Sequence, residues 1–462
     1  MTEPMRFEQR MSDSDALMWG IEADPLLRST IIAIAVLDQA PDHEQLMAKV
    51  HRGTLDIARL RQRAVSPPWR VAPPRWVVDP NFDLRYHVRF TNAVGDGSLR
   101  SLLDFAAPIA MQSFDRARPL WEFTVVEGLA NGQAALIQKV HHAVTDGVGG
   151  MKMAMMLLDL ERDPAPSSDE PPPAPEPETY SPIELLRDGL AHERRRQLGI
   201  AQRSVGDARA AAARPLDTMR SAAMGAASLA RMLRPVFAPM SPIMTGRSLS
   251  ARFDVVSAPL GEMKAAAKKA DGRLNDAFVA AIAGGLARYH ERHGVPVEAL
   301  RMSMPINIRA ADSEVMGGNQ FVPVRFAVPM NIADPLERMR QVRELVATQR
   351  AEPALAFTEA VAGILNRLPT GMTTQLFGGM LKGMDFVTSN VPGAPIPVFL
   401  AGAQVTANYA LGPLSGAAIN ATLLSHLDDV FVGINSDPAA VPDPEVLTEC
   451  LEEGFAEVRK VA

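Results

Sequence analysis

Two adjacent histidines, His141 and His142, are followed by Asp146 and Gly147 in the stretch 139–150. A histidine at the edge of a cavity suits general-base work, because its unperturbed pKa of ~6.5 lies near neutrality. Asp146 follows His142 by four residues and could orient the imidazole as the acid of a triad does. It also stands where a helix N-cap is expected, just before Gly147-Val148-Gly149-Gly150. Bracing the loop, with an arginine partner, is the preferred role for Asp146. Arg309, which follows Met304-Pro305-Ile306-Asn307-Ile308, is the candidate partner. His141 is expected to shape the turn. On its own, a histidine pair of this kind is more often a structural feature of a loop than a catalytic one.

Other chemistries find no support in the chain. There is no Gly-x-Ser-x-Gly around a nucleophilic serine and no glycine-rich phosphate loop. Cys450 is the single cysteine, and His290 and His293 sit three apart on what reads as an exposed helix end, so no metal site is expected. The net charge of −6 argues against a nucleic-acid partner. One cysteine excludes an internal disulfide and fits a reducing, cytoplasmic compartment. No window reaches the roughly 18 to 20 uninterrupted apolar residues that a membrane span needs, so any membrane contact is expected at the surface.

The motif needs a rigid support. Residues 133–140 read as a buried strand, reached from a strand at 119–126 through the hairpin signal Asn131-Gly132. Residues 151–160 read as a helix. Upstream, a β-rich segment covers 29–37 and helices are expected over 42–52 and 98–112. Proline density makes 162–182 an extended linker, which closes a first subdomain at residues 1–161. Residues 183–247 carry eleven arginines against five carboxylates and read as a basic helical bridge. Its alternative reading is an interfacial helix, with Arg194, Arg195 and Arg196 facing anionic headgroups. A second subdomain, 248–462, mixes helices with strands, among them 319–328 and 398–408. Mixed sheets without strict βαβ alternation make the class α/β, with α+β character.

The stretch His141-His142-Ala143-Val144-Thr145-Asp146-Gly147 resembles the HHxxxDG motif of acyltransferases related to chloramphenicol acetyltransferase and the condensation domains. Four further stretches are similar to motifs of the bacterial wax ester synthase/diacylglycerol acyltransferase family. Pro119-Leu120-Trp121 looks like its PLW motif, Asn275-Asp276 its ND motif, Gly318-Asn319 its GN motif, and Ser389-Asn390-Val391-Pro392-Gly393 its SNVPG segment. The resemblance runs over about residues 11–460, in order and with fitting spacing. Ala394 replaces a proline after the last segment.

The resemblance implies two similar subdomains facing each other across a substrate tunnel, with His142 midway. It implies transfer of a fatty acyl group from acyl-CoA, a substrate and not a cofactor, to diacylglycerol or a long-chain alcohol. His142 would be the base, and no acyl-enzyme is needed. Asn275 is the first candidate for stabilising the oxyanion, its alternative being a helix cap, the role expected of Asp276. Ser389 and Asn390 are candidate donors or parts of a turn. Pro119 and Trp121 are expected in apolar packing, Trp121 in the core. Other alcohols, polyketide-linked ones included, are alternative acceptors, and a lipid-binding paralogue without turnover is the non-enzymatic alternative. Contact with the inner face of the plasma membrane or with lipid droplets completes the expectations.

Overall fold

The structure, a computed structural model, describes residues 7–145, 150, 155–165, 170–213, 228, 236, 238–307, 321–352 and 358–462. Helix starts follow local capping chemistry. The Ser12, Asp42 and Ser98 side chains accept the backbone N–H of Asp15, Gln45 and Ser101. They open α1 (Asp13–Ile21), α2 (His43–Asp56) and a longer helix at Leu99–Met111. Between α1 and α2 lies β1 (Thr30–Leu37), and after α2 come β2 (Gln62–Val65) and β3 (Arg75–Val78). Then follow α3 (Leu84–His87), β4 (Val88–Asn92), α4 (the Leu99–Met111 helix), β5 (Trp121–Glu127) and β6 (Ala134–His141). The β5–β6 turn places Asn131 and Gly132 at φ 62° and 74°, as its sequence signal requires.

The linker has no regular structure over its described residues 170–181. It ends in a capping box, where Ser181 N–H donates to Glu184 at 2.8 Å and opens α5 (Pro182–Ala213). Then come β7 (Arg252–Pro259), α6 (Leu260–Lys269), α7 (Leu274–Arg292), β8 (Ala299–Asn307) and β9 (Phe321–Pro329). Helices α8 (Pro335–Arg350), α9 (Thr358–Leu365) and α10 (Thr370–Leu381) precede β10 (Phe386–Val391), β11 (Phe399–Leu400) and β12 (Ala403–Leu411). The chain closes with β13 (Ile419–His426), β14 (Asp429–Ser436) and α11 (Pro444–Lys460).

Two six-stranded mixed sheets result, in the orders β11-β12-β1-β6-β5-β4 and β7-β14-β13-β10-β8-β9. In the first, β1 runs antiparallel to both β6 and β12, with Ile34 opposite Ile137 and Tyr409. Ile32 and Ile34 pack beneath α4 against Leu102, Leu103 and Ala106. In the second lobe, α7 is buried over residues 276–286 and crosses α11 so closely that a Cβ at Gly454 would lie 2.3 Å from the Ala281 carbonyl.

Three expectations are corrected. The strand expected over 398–408 is the hairpin β11–β12, because Ala401 and Gly402 adopt φ of 46° and 83° and reverse the chain. That hairpin completes the first sheet, so the boundary at 248 does not separate the two sheets in sequence. His290 is not on an exposed helix end. It is buried, with Nδ1 on the Leu286 carbonyl and Nε2 at 2.8 Å from Ser241 Oγ. Pro323 is accommodated in β9 because β9 is an edge strand.

Candidate active site

A strand sends successive side chains to opposite faces. From β6, Gln138 and Val140 point into the space between the two sheets, followed by His142 just past the strand end. There they line a cavity of about 310 Å³, floored by Ile31 and Ala33 of β1. The facing wall carries Ser303 and Pro305 of β8, Ser389 of β10 and Thr422 of β13. Leu17 and Ile21 of α1 and Phe377 and Leu381 of α10 close one side. Among the described residues lining this cavity, His142 is the only ionisable one. A base set among hydrocarbon and neutral polar groups can take a proton and return it.

The main chain fixes the turn that bears it. His142 N–H donates to the Ser29 carbonyl at 2.9 Å, and His141 N–H to the Leu120 carbonyl at 3.0 Å. Val144 N–H donates to the His141 carbonyl at 2.9 Å. His141 points away from the cavity and is buried, edge-on to Trp19 and Phe114. Its Nδ1 accepts Ala143 N–H at 3.0 Å, and its Nε2 meets Glu22 Oε1 at 2.8 Å. The same Glu22 oxygen accepts Ser29 N–H at 2.7 Å. Burial pushes the Glu22 carboxyl up. The hydrogen bonds from His141 and Ser29 N–H, with the charge of Arg116, outweigh it and hold the group below the usual carboxylate range.

Glu22 was not among the sequence candidates. It ends the unremarkable run Trp19-Gly20-Ile21-Glu22, and only the fold brings it to the histidine turn. Pro119 and Trp121 are buried in the first lobe's core, away from the cavity wall. Trp121 stacks on His87 at 4.4 Å and donates from Nε1 to the Leu60 carbonyl at 2.8 Å. Leu120 between them supplies the carbonyl that holds His141.

Asn275 does not reach the cavity. Its Nδ2 lies 3.6 Å from Met304 Sδ, and Met304 points into the second lobe's core while its neighbours Ser303 and Pro305 face the cavity. Asn275, expected to stabilise the oxyanion, is thus not among the described residues that line the cavity. Asp276 accepts Arg273 N–H at 2.7 Å, as a residue in the first turn of α7 does in a capping box. Burial raises its pKa against the lowering effect of that bond and of Arg350, Arg343 and Arg273. Ser389 lines the cavity opposite β6, and its hydroxyl makes no hydrogen bond to another described residue, whereas Asn390 is exposed. Asp146, Gly147, Arg309 and Asn319 lie outside the described residues.

Of the three arginines expected on headgroups, Arg194 and Arg195 are exposed. Arg196 instead pairs with Asp13 of α1 at 2.8 Å, because α5 lies across the first lobe. Asp188 pairs with Arg10 and Arg75, and Glu193 with Arg367, along the same inward side. Among the described residues, no helix is long and apolar enough to cross a membrane.

Residues 11–278 match the model of the wax ester synthase/diacylglycerol acyltransferase catalytic domain, and residues 317–459 that of the WS/DGAT C-terminal domain. A Mycobacterium tuberculosis protein, provisionally named a diacylglycerol O-acyltransferase, is 39% identical over 100% of this chain and 94% of its own. A second protein of that organism, also named for this activity, is 26% identical over 94% of this chain and 92% of its own. The solved wax ester synthase/diacylglycerol acyltransferase of Marinobacter aquaeolei VT8 superposes with a TM-score of 0.63 at 22% identity, covering 97% of this chain and 98% of that one. A variant of the starter condensation domain of rhizomide synthetase, solved with C8-CoA, has a TM-score of 0.59 at 13% identity, covering 98% and 95%. These two structures share the two-lobed acyltransferase fold, and the matched models and the mycobacterial relatives show that the chain belongs to the wax ester synthase/diacylglycerol acyltransferase family.

Proposed function

We propose that this acyltransferase moves a fatty acyl group from coenzyme A to the hydroxyl of diacylglycerol or of a long-chain alcohol, with His142 as general base. The observation that carries the reading is the place of His142 on the cavity wall, as the only ionisable side chain among the described residues that line it. The acceptor's O–H proton passes to the imidazole as its oxygen bonds to the thioester carbonyl carbon. Collapse of the tetrahedral adduct breaks the C–S bond, and the imidazolium returns the proton to the departing thiolate. Transfer is direct, so the enzyme itself carries no acyl group. Ser389, facing His142's sheet with its hydroxyl uncommitted, is the donor this reading assigns to the oxyanion.

The test incubates purified protein with labelled palmitoyl-CoA and either dioleoylglycerol or hexadecanol. The parent forms ester with at least one acceptor, and His142→Ala lowers the rate by ~10²–10⁴, the usual worth of a positioned base. Undiminished ester formation by His142→Ala ends the general-base reading. No ester from either acceptor directs the same assay to other alcohols.

The outward side of α5 supports a place for the reaction. Leu190 and Leu198 are exposed beside Arg194 and Arg195, a mixture suited to an anionic lipid surface. Reversing both arginines to glutamate should release the protein from phosphatidylglycerol vesicles, at about 1 kcal/mol for each charge removed. Equal sedimentation with vesicles before and after reversal would leave α5 a brace between lobes.

A further inference from the structure

Glu22 occupies a position that the transfer reaction does not use directly. Its carboxylate is buried beneath the histidine turn, on the face of the sheet opposite the cavity. One oxygen takes two bonds, from His141 Nε2 at 2.8 Å and from Ser29 N–H at 2.7 Å, while the other lies 3.3 Å from Arg116. Both bonds lead to the catalytic turn. His141 Nδ1 receives Ala143 N–H, so that nitrogen carries no proton, and the ring's single proton sits on Nε2, aimed at Glu22. Ser29, held by its own N–H, offers its carbonyl to His142 N–H. The backbone at His142 is thus tied to one carboxylate twice, through the side chain at position 141 and through Ser29, the residue before β1.

The ring tautomer matters because the alternative is destructive. A proton on Nδ1 would face the Ala143 N–H donor, and Nε2 would face a carboxylate with a lone pair. The turn would open, and the imidazole of His142 would move with it. Misplacement of about 1 Å is enough to lower a rate by roughly 100-fold. His141 is packed edge-on by Trp19 and Phe114, and Arg116 lies 4.0 Å over the Trp19 ring, so the ring cannot simply turn away.

We infer that Glu22 is the positioning residue of the catalytic turn, holding His141 in its Nε2–H tautomer and, through Ser29, fixing the main chain of His142. The inference rests on the acyl-transfer reading for its kinetic consequence, but its structural half can be tested apart from turnover. Glu22 acts as a hydrogen-bond acceptor in this role, so glutamine, which keeps an acceptor oxygen, should replace it far better than alanine. Position 141 has its own pair of replacements. Asparagine presents an oxygen near the site of Nδ1 and can still receive Ala143 N–H. Glutamine presents an amide near the site of Nε2, so it gives up the Ala143 bond but can still donate to Glu22, which asparagine cannot reach.

The experiment combines steady-state kinetics with NMR of the full chain labelled with 15N-histidine. Glu22→Ala should lower kcat roughly 10- to 100-fold with KM for palmitoyl-CoA near the parent's value, and Glu22→Gln should restore most of the loss. His141→Asn, which loses the bond to Glu22, should fall further in kcat than His141→Gln, which keeps it. In the parent, His141 should show a slowly exchanging Nε2–H and an unprotonated Nδ1, with the resonance assigned by its absence in His141→Asn. In Glu22→Ala that proton should be lost to exchange. An unchanged, slowly exchanging Nε2–H in Glu22→Ala overturns the inference whether or not the parent forms ester. So does a Glu22→Gln as slow as Glu22→Ala, since it would make the charge and not the acceptor the cause. Should Glu22→Ala fail to fold, the ranking of the two His141 variants still decides, and an equal loss in both would sink the proposal.

Discussion

His142 and Ser389 line the cavity from opposite sheets, in the proposed roles of proton acceptor and hydroxyl donor. The pairing separates Ser389 from Asn275, which faces Met304 on the far side of β8. Ser389→Ala should therefore lower kcat by ~10²–10³, the usual cost of losing an oxyanion donor, whereas Asn275→Ala should leave kcat near the parent's. A steady-state comparison of the two variants checks this, and the reverse ranking would return the role to Asn275. The histidine pair was legible because a strand end sends adjacent side chains to opposite faces, giving one histidine to the cavity and one to the packing below. The side of the second sheet that Asn275 sees was not legible. It depends on how α7 docks against the alternation Ser303, Met304, Pro305, which is a tertiary fact. Glu22 was hidden for the same reason, 119 residues from the histidine it holds.

At the scale of elements, the crossing of α7 and α11 is set by residues without side chains. A Cβ at Gly454 would sit 2.3 Å from the Ala281 carbonyl and 2.8 Å from Gly285 N. Glycine to alanine within a helix ordinarily gains up to about 1 kcal/mol. Gly454→Ala should instead destabilise by about 1–3 kcal/mol, because the two helices must part. Gly261→Ala in α6, where nothing lies within 4 Å, should show the ordinary gain. Urea midpoints of the two variants, with unchanged slope, measure the contrast. Capped helices and the β5–β6 hairpin could be read from the chain because Ser12, Asp42, Ser98 and Asn131-Gly132 act within a few residues. The reversal at Ala401-Gly402 could not. Alanine carries no preference for the left-handed backbone it adopts there, and the pairing of β12 with β1 holds it.

At the scale of the molecule, the two lobes are not two successive lengths of chain. Hairpin β11–β12 leaves the second half to lie along β1, with Ala35 opposite Asn408 and Ile32 opposite Leu411. Without it β1 becomes a bare hydrophobic edge, the kind of strand that pairs with other chains. A fragment of residues 1–247 should therefore aggregate or unfold without a cooperative transition, and co-expression with residues 248–462 should restore a soluble, cooperatively melting pair. A well-dispersed NMR spectrum from the first fragment alone would show that β12 is dispensable. The interleaving also sets a clock on biosynthesis. Between the emergence of Leu37 and that of Leu411, a ribosome adding 5–20 residues per second spends roughly 20 to 75 s with β1 lacking its β12 neighbour. Throughout that interval the nascent chain needs something else to cover the strand, so the yield of this enzyme in a cell should depend on ribosome-bound chaperones as well as on its own sequence.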